Sequence, residues 1–224
     1  MDESNNILSF KQNKFFLLPH EYQFPLATSI LYYGLTALLA RGLRVMSKIG
    51  LSKYRYLFFL ITDFITSFQL MAFSLENGQL RKHYGDLAYV ITLVCVGLWA
   101  IYAIQDGQSN PCSALLDTLA GKSPMRWAIL RSFVQTLGAI SSYQYAKMFW
   151  SLGLTRSHWE RVHQVNCSSD LQVATYLGFS VEFFGTLLFC GVNLTNFSQF
   201  HRIENFFKCL LGALLTILGK NCLP

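Results

Sequence analysis

Six stretches of the chain are apolar between charged residues, and each reads as a helix for a membrane. Crossing a hydrocarbon core about 30 Å thick takes about 20 mostly apolar residues. Tyr22 to Ala40 carries no charge and lies between Glu21 and Arg41. Tyr56 to Leu75 is interrupted only by Asp63, Leu87 to Gln105 runs between Asp86 and Asp106, and Leu171 to Gln199 holds Glu182 as its single charge. Trp127 to Trp150 contains Arg131 and Lys147 near its ends, where long basic side chains can snorkel. Phe206 to Leu223 is the weakest, because only Cys209 to Gly219 lies between Lys208 and Lys220.

The first run is longer than a signal core and ends in Arg41 and Arg44, not in a small-residue cleavage site. Spanning is its favoured reading; Pro25, Tyr32 and Tyr33 would also suit a helix lying in the interface. Arg41, Arg44, Lys48, Lys53 and Arg55 cluster after it, which places that segment in the cytosol. Alternation then puts Leu75 to Asp86 outside, Asp106 to Arg126 inside and Ser151 to Asp170 outside.

Composition narrows the function. Hydrophobic residues make up 52% and charged ones 13%, against about 25% charged in soluble domains. Disorder is excluded, and a polytopic membrane protein with the lipid bilayer as its surroundings is implied. The net charge of +6 is spread over the gaps between apolar runs, with no dense basic run for a nucleic acid. Enzyme chemistry finds no support. His20, His83, His158, His163 and His201 are dispersed, and no phosphate loop, Cys-x-x-Cys pair or nucleophile elbow appears. No catalytic residue, metal or cofactor is expected.

Cys95, Cys190 and Cys209 fall inside apolar runs and read as small buried hydrophobes. Asn166-Cys167-Ser168 matches a glycosylation acceptor in an outside loop, making Asn166 a candidate site; Asn193 and Asn196 open similar triplets on the cytosolic side. Chance matches to so short a motif are frequent. Gly138, Ser142 and Ala146 recur every four residues, a spacing that lets helices approach closely in lipid. Gly178 and Gly185 suggest the same for the fifth helix.

Two ionisable residues inside apolar runs mark candidate chemistry. Asp63-Phe64-Ile65-Thr66-Ser67-Phe68 aligns with Glu182-Phe183-Phe184-Gly185-Thr186-Leu187, as a duplicated unit would; a match this short also arises by coincidence. Between them stands Asn110-Pro111-Cys112, then Ser113 to Ala120 and the breakers Gly121 and Pro124. Asn is a favoured N-cap and Pro suits the first helical position, so a short helix capped by Asn110 is predicted, too short to span. Two placements fit: a re-entrant half-helix with its positive end at the midplane, or an amphipathic helix on the cytosolic surface.

An intramembrane acid, a second span, an Asn-Pro-x half-helix and a repeat of that unit resemble the aquaporin (major intrinsic protein) family. Cys112 resembles its superaquaporin subgroup, in which the first Asn-Pro-Ala becomes Asn-Pro-Cys. Thr66-Ser67-Phe68-Gln69-Leu70, Trp150-Ser151-Leu152-Gly153-Leu154-Thr155 with His158, and Cys167 ahead of Asp170-Leu171-Gln172-Val173 are similar to that subgroup's stretches. The resemblance covers roughly Leu57 to Leu218, and the run before Arg41 is similar to the subgroup's extra N-terminal segment.

The resemblance implies an all-α, aquaporin-like bundle with one re-entrant half-helix. The expected function is a channel for water and small neutral solutes such as glycerol or hydrogen peroxide. It is expected in intracellular membranes, the endoplasmic reticulum before the plasma membrane, as a homo- or hetero-tetramer with aquaporin relatives. Asn110 would be the pore donor, Pro111 the helix start and Cys112 the junction of half-helices. Asp63 and Glu182 would hold unwound backbone.

Asp63 precedes Asn110 by 47 residues, and that spacing from Glu182 falls at 229, beyond residue 224. The expectation is therefore a truncated second inverted repeat and no independent conduction, or else a non-conducting assembly partner using its small-residue faces. The implied organisation is an N-terminal tail, extra helix and basic loop over 1–55, and a first repeat over 56–150 with the half-helix at 110–121. An extracytosolic loop over 151–170 and the incomplete repeat over 171–224 follow.

Overall fold

A computed structural model describes residues 24–104, 107–163, 174–194 and 200–221. Asn166 lies outside the described residues, as do Cys167 and Asn196. Seven helices are described: α1 Pro25–Gly50, α2 Arg55–Ala103, α3 Pro111–Leu119, α4 Met125–Trp150, α5 Arg156–His163, α6 Thr175–Leu194 and α7 His201–Asn221. Pro25–Gly50, Arg55–Ala103 and Thr175–Val192 are long and apolar enough to cross a membrane. The architecture is a helical, multi-pass membrane bundle.

α2 is two helices in one. Gly85 takes φ +78° and ψ −171°, backbone open to glycine and strained for other residues. The chain reverses there: the rings of Phe73 and Trp99 lie 5.5 Å apart, whereas 26 residues of straight helix would separate them by about 39 Å. Residues 55–84 form the first arm and residues 86–103 the second. The outside loop expected over Leu75 to Asp86 is thus helix as far as the turn, because the buried stripe of Gln69, Phe73, Glu76 and Leu80 continues past Leu75.

α1 runs antiparallel along the first arm. Ser29 near its start meets Glu76, and Arg44 near its end reaches Thr66. Its buried face is Thr28, Ser29, Tyr32, Thr36 and Ala40, a three-to-four-residue stripe packed on a helix. It continues to Gly50, so much of the expected basic loop is helical. Lys48 in its last turn complements the negative end of the dipole.

α4 runs parallel to the first arm, with Tyr56 against Trp127, Asp63 against Arg131 and Glu76 against Trp150. Close approach comes from the small-residue stripe, since a Cβ on Gly138 would sit 2.5 Å from the Phe64 carbonyl oxygen. Gly138, Ser142 and Ala146 are all buried within the chain. They are therefore not a free assembly surface, contrary to the use expected for them. Gly185 on α6 makes no such close approach among the described residues, because a Cβ there would meet nothing within 4 Å. Cys95 is exposed, and Cys190 and Cys209 are only half-buried, so the buried-hydrophobe reading fails outright for Cys95.

Candidate functional site: a capped half-helix facing a cavity

Asn110 is extended (φ −123°, ψ 122°) and its side-chain Oδ1 accepts from the Cys112 N–H at 2.9 Å. Pro111 occupies the first turn, where its missing N–H leaves nothing unsatisfied. The helix stops at Leu119 in a Schellman arrangement: the Gly121 N–H donates to the Thr118 carbonyl and the Lys122 N–H to the Asp117 carbonyl. It spans 111–119, shorter than the expected 110–121. Because the cap uses Oδ1, the two N–H donors of the Asn110 amide are left for the space in front.

Depth follows from the neighbours. The Ser67 hydroxyl reaches the Ser109 carbonyl at 3.4 Å, and Ser67 stands twelve residues beyond Arg55, about 18 Å along the helix axis. Beyond the other end of α3, Trp127 stacks edge-on against Tyr56 at 5.5 Å. So α3 begins about halfway along the first arm and points back toward the arm's own start. A helix lying flat across that end would not bring Ser109 to Ser67.

The buried side chain that fixes this geometry is Asp63, fully enclosed. Arg131 donates through Nε to Oδ2 at 2.6 Å and through Nη2 to Oδ1 at 2.8 Å. The backbone N–H of Gln108 adds a bond to Oδ1 at 2.8 Å. Gln135 donates to the carboxylate at 3.2 Å and to the Gln108 carbonyl at 3.3 Å, while the Gln108 side chain holds Asp117 on α3 at 2.9 Å. Two guanidinium N–H groups and a backbone donor converging on one buried carboxylate fix its orientation. Arg131 does not snorkel as expected: its side chain is 13% exposed and turned inward to Asp63. Gly107 is required, since a Cβ there would lie 2.3 Å from Thr66 Oγ1.

Glu182 occupies a different setting. With Gly185 and Thr186 it lines a cavity of about 550 Å³, whose other walls include Asn110 and Cys112 from α3 and Thr216 from α7. Glu182 is exposed to that space. The structure thus brings Asn110, Cys112 and Glu182 to one cavity and sets Asp63 behind the loop that delivers Asn110. Pro111 is an exposed residue of the first turn.

Sequence reasoning missed a second buried cluster. Glu76, fully enclosed, accepts from Ser29 at 2.6 Å, Trp150 Nε1 at 2.9 Å and His158 Nε2 at 3.1 Å. Beside it the Tyr33 hydroxyl donates to Asn77. Four elements meet on this carboxylate: α1, the first arm, α4 and α5. The expected loop over 151–170 therefore contains a helix, pinned by His158, which is buried beneath it. The buried stripe running past Leu75 is the signal that would have exposed Glu76.

Comparison with known proteins gives the family. The chain is 30% identical over 165 residues to "Aquaporin-11" of Milnesium tardigradum, covering 74% of this chain and 61% of that protein. It belongs to the aquaporin family. "Aquaporin-11" of Equus caballus is 30% identical over 113 residues, 49% of this chain and 39% of that one. The chain thus spans 61% and 39% of the lengths of these aquaporins. No family model matches, and no solved structure does.

Proposed function

We propose that the chain forms the Asn110 side of an aquaporin-type pathway for water and small neutral solutes, glycerol and hydrogen peroxide among them. The observation that carries this is the Asn110 amide, capped through its oxygen, with no partner for its nitrogen among the described residues, opening about halfway along the first arm onto the cavity. Donors held at a helix N-terminus bind water through its oxygen, and the positive end of the dipole repels cations and protons. Asp63 and its partners hold the loop that positions Asn110. An intracellular membrane, the endoplasmic reticulum first, and a tetramer with aquaporin relatives complete the reading.

One wall does not make a single-file constriction, and the 224 residues contain one Asn-Pro pair. Proteoliposomes holding this chain should therefore show the same osmotic shrinkage rate as empty vesicles in stopped-flow light scattering. A clear increase abolished by Asn110→Asp would overturn the need for a second wall. The reading as a non-conducting assembly partner is favoured by the exposed face of α6, where Phe179, Phe183, Phe184 and Leu187 all lie more than half exposed. Co-expression with a full-length relative should then give a complex that co-purifies, and failure to form one removes this reading.

A further inference from the structure

We propose a binding site for an anionic phospholipid headgroup at the end of the bundle where the first arm and α4 both begin. A cavity of about 530 Å³ there has Tyr56, Lys122, Ser123, Arg126, Trp127 and Leu130 in its lining, together with Pro124. Two of these side chains are cations and none is an anion. The nearest carboxylate to Lys122 is Asp117, at a loose 3.9 Å, and the Lys122 side chain is 73% exposed. α4 starts at Met125 beside the cavity; the Trp127 N–H is taken by the Pro124 carbonyl, and the positive end of the helix dipole adds potential to the same spot.

The rest of the lining selects a lipid over a free phosphate. The rings of Tyr56 and Trp127 meet edge to face at 5.5 Å with an interplanar angle of 79°, the kind of pair that settles at headgroup level. Leu130 lies one turn deeper along α4, so the wall passes from charged to apolar over a single turn. A phosphate with acyl chains matches that gradient; an inorganic ion uses only its mouth. Arg55 and Lys53 precede Tyr56 in the sequence, which puts the site in the leaflet facing the basic segment, where anionic lipids are attracted to juxtamembrane cations.

The test is native mass spectrometry of the delipidated full chain in detergent, titrated with phosphatidylserine or phosphatidylcholine. Phosphatidylserine should bind as one saturable adduct, and phosphatidylcholine should bind at least tenfold more weakly. Lys122→Gln with Arg126→Gln should weaken the phosphatidylserine adduct roughly 25-fold, at about fivefold per cation. Lys122→Arg with Arg126→Lys should restore it, which separates a lost charge from a damaged fold. Lys48→Gln, on the same side of the membrane but outside the cavity, should leave it unchanged. Equal binding of both lipids, or an unchanged adduct in the double Gln variant, overturns the site. Displacement by equimolar glycerophosphoserine, which has the headgroup but no chains, would show a phosphate site and overturn the lipid assignment.

Discussion

Asp63 and Glu182 open similar six-residue stretches, and the structure treats them in opposite ways. In the first arm, Asp63, Thr66 and Ser67 face the loop before α3: the carboxylate holds the Gln108 N–H, Thr66 sits against Gly107, and Ser67 reaches the Ser109 carbonyl. On α6 the residues at the same offsets, Glu182, Gly185 and Thr186, face a cavity. One acid is enclosed with Arg131 and Gln135 supplying donors; the other is exposed, and no hydrogen bond to it is found among the described residues. The lesson is that an intramembrane carboxylate of this kind is a grip on backbone. Its burial depends on whether a loop is there to be gripped.

The largest effect that could break this comparison is expected at the Asp63 pair. Asp63→Ala leaves Arg131 buried without its anion, a change that destabilises by about 3–5 kcal/mol. Glu182→Ala should stay within about 0.5 kcal/mol, as exposed substitutions do. Thermal unfolding of the purified variants followed by circular dichroism checks both. Equal losses would mean that Glu182 has a grip of its own.

Next comes the Glu76 cluster, which belongs to neither repeat acid. Glu76→Ala strands the donors of Ser29, Trp150 and His158 and should destabilise by about 3 kcal/mol. Because Ser29 and His158 tie α1 and α5 to the core, limited proteolysis should cut near residues 50–54 and 151–155 sooner than in Asp63→Ala. Cleavage in the same order for both variants would contradict this division of labour.

The glycines sharpen the contrast further. Gly107→Ala pushes a methyl onto Thr66 and should cost about 1–3 kcal/mol by overpacking, whereas Gly185→Ala enters open space and should be nearly silent in the same melting experiment. The smallest of the expected losses, leaving aside the silent controls at Glu182 and Gly185, is at the cap. Asn110→Ala should lose about 1 kcal/mol, while Asn110→Asp keeps an oxygen for the Cys112 N–H and should melt close to the wild type. Asn110→Asp separates the cap from the donors that the proposed pathway uses.

Much of this was legible in the sequence, and for physical reasons. A charge within an apolar run is conspicuous, so Asp63 and Glu182 stood out, and Asn followed by Pro marks a helix start with two independent signals. Arg131 was misjudged because its proximity to a helix end says nothing about the depth of that end beside Asp63. Gln108 and Gln135 carry no charge, and their roles exist only once the loop and α4 are brought together. Glu76 reads as loop in the sequence because the run of uncharged residues stops at Leu75. The helix does not stop there: it ends at Gly85, where backbone conformation and not hydropathy turns the chain.

The central claim is that α3 begins at mid-depth with Asn110 facing the cavity. Spin labels placed on Cys112, and on Ser123→Cys, each in a background without other cysteines, report immersion depth from their relative collision rates with oxygen and a polar nickel chelate. The account predicts that the label on Cys112 lies about 15 Å deeper than the one at position 123, half of a hydrocarbon core about 30 Å thick. Equal depths for the two labels, both at the headgroups, would contradict it.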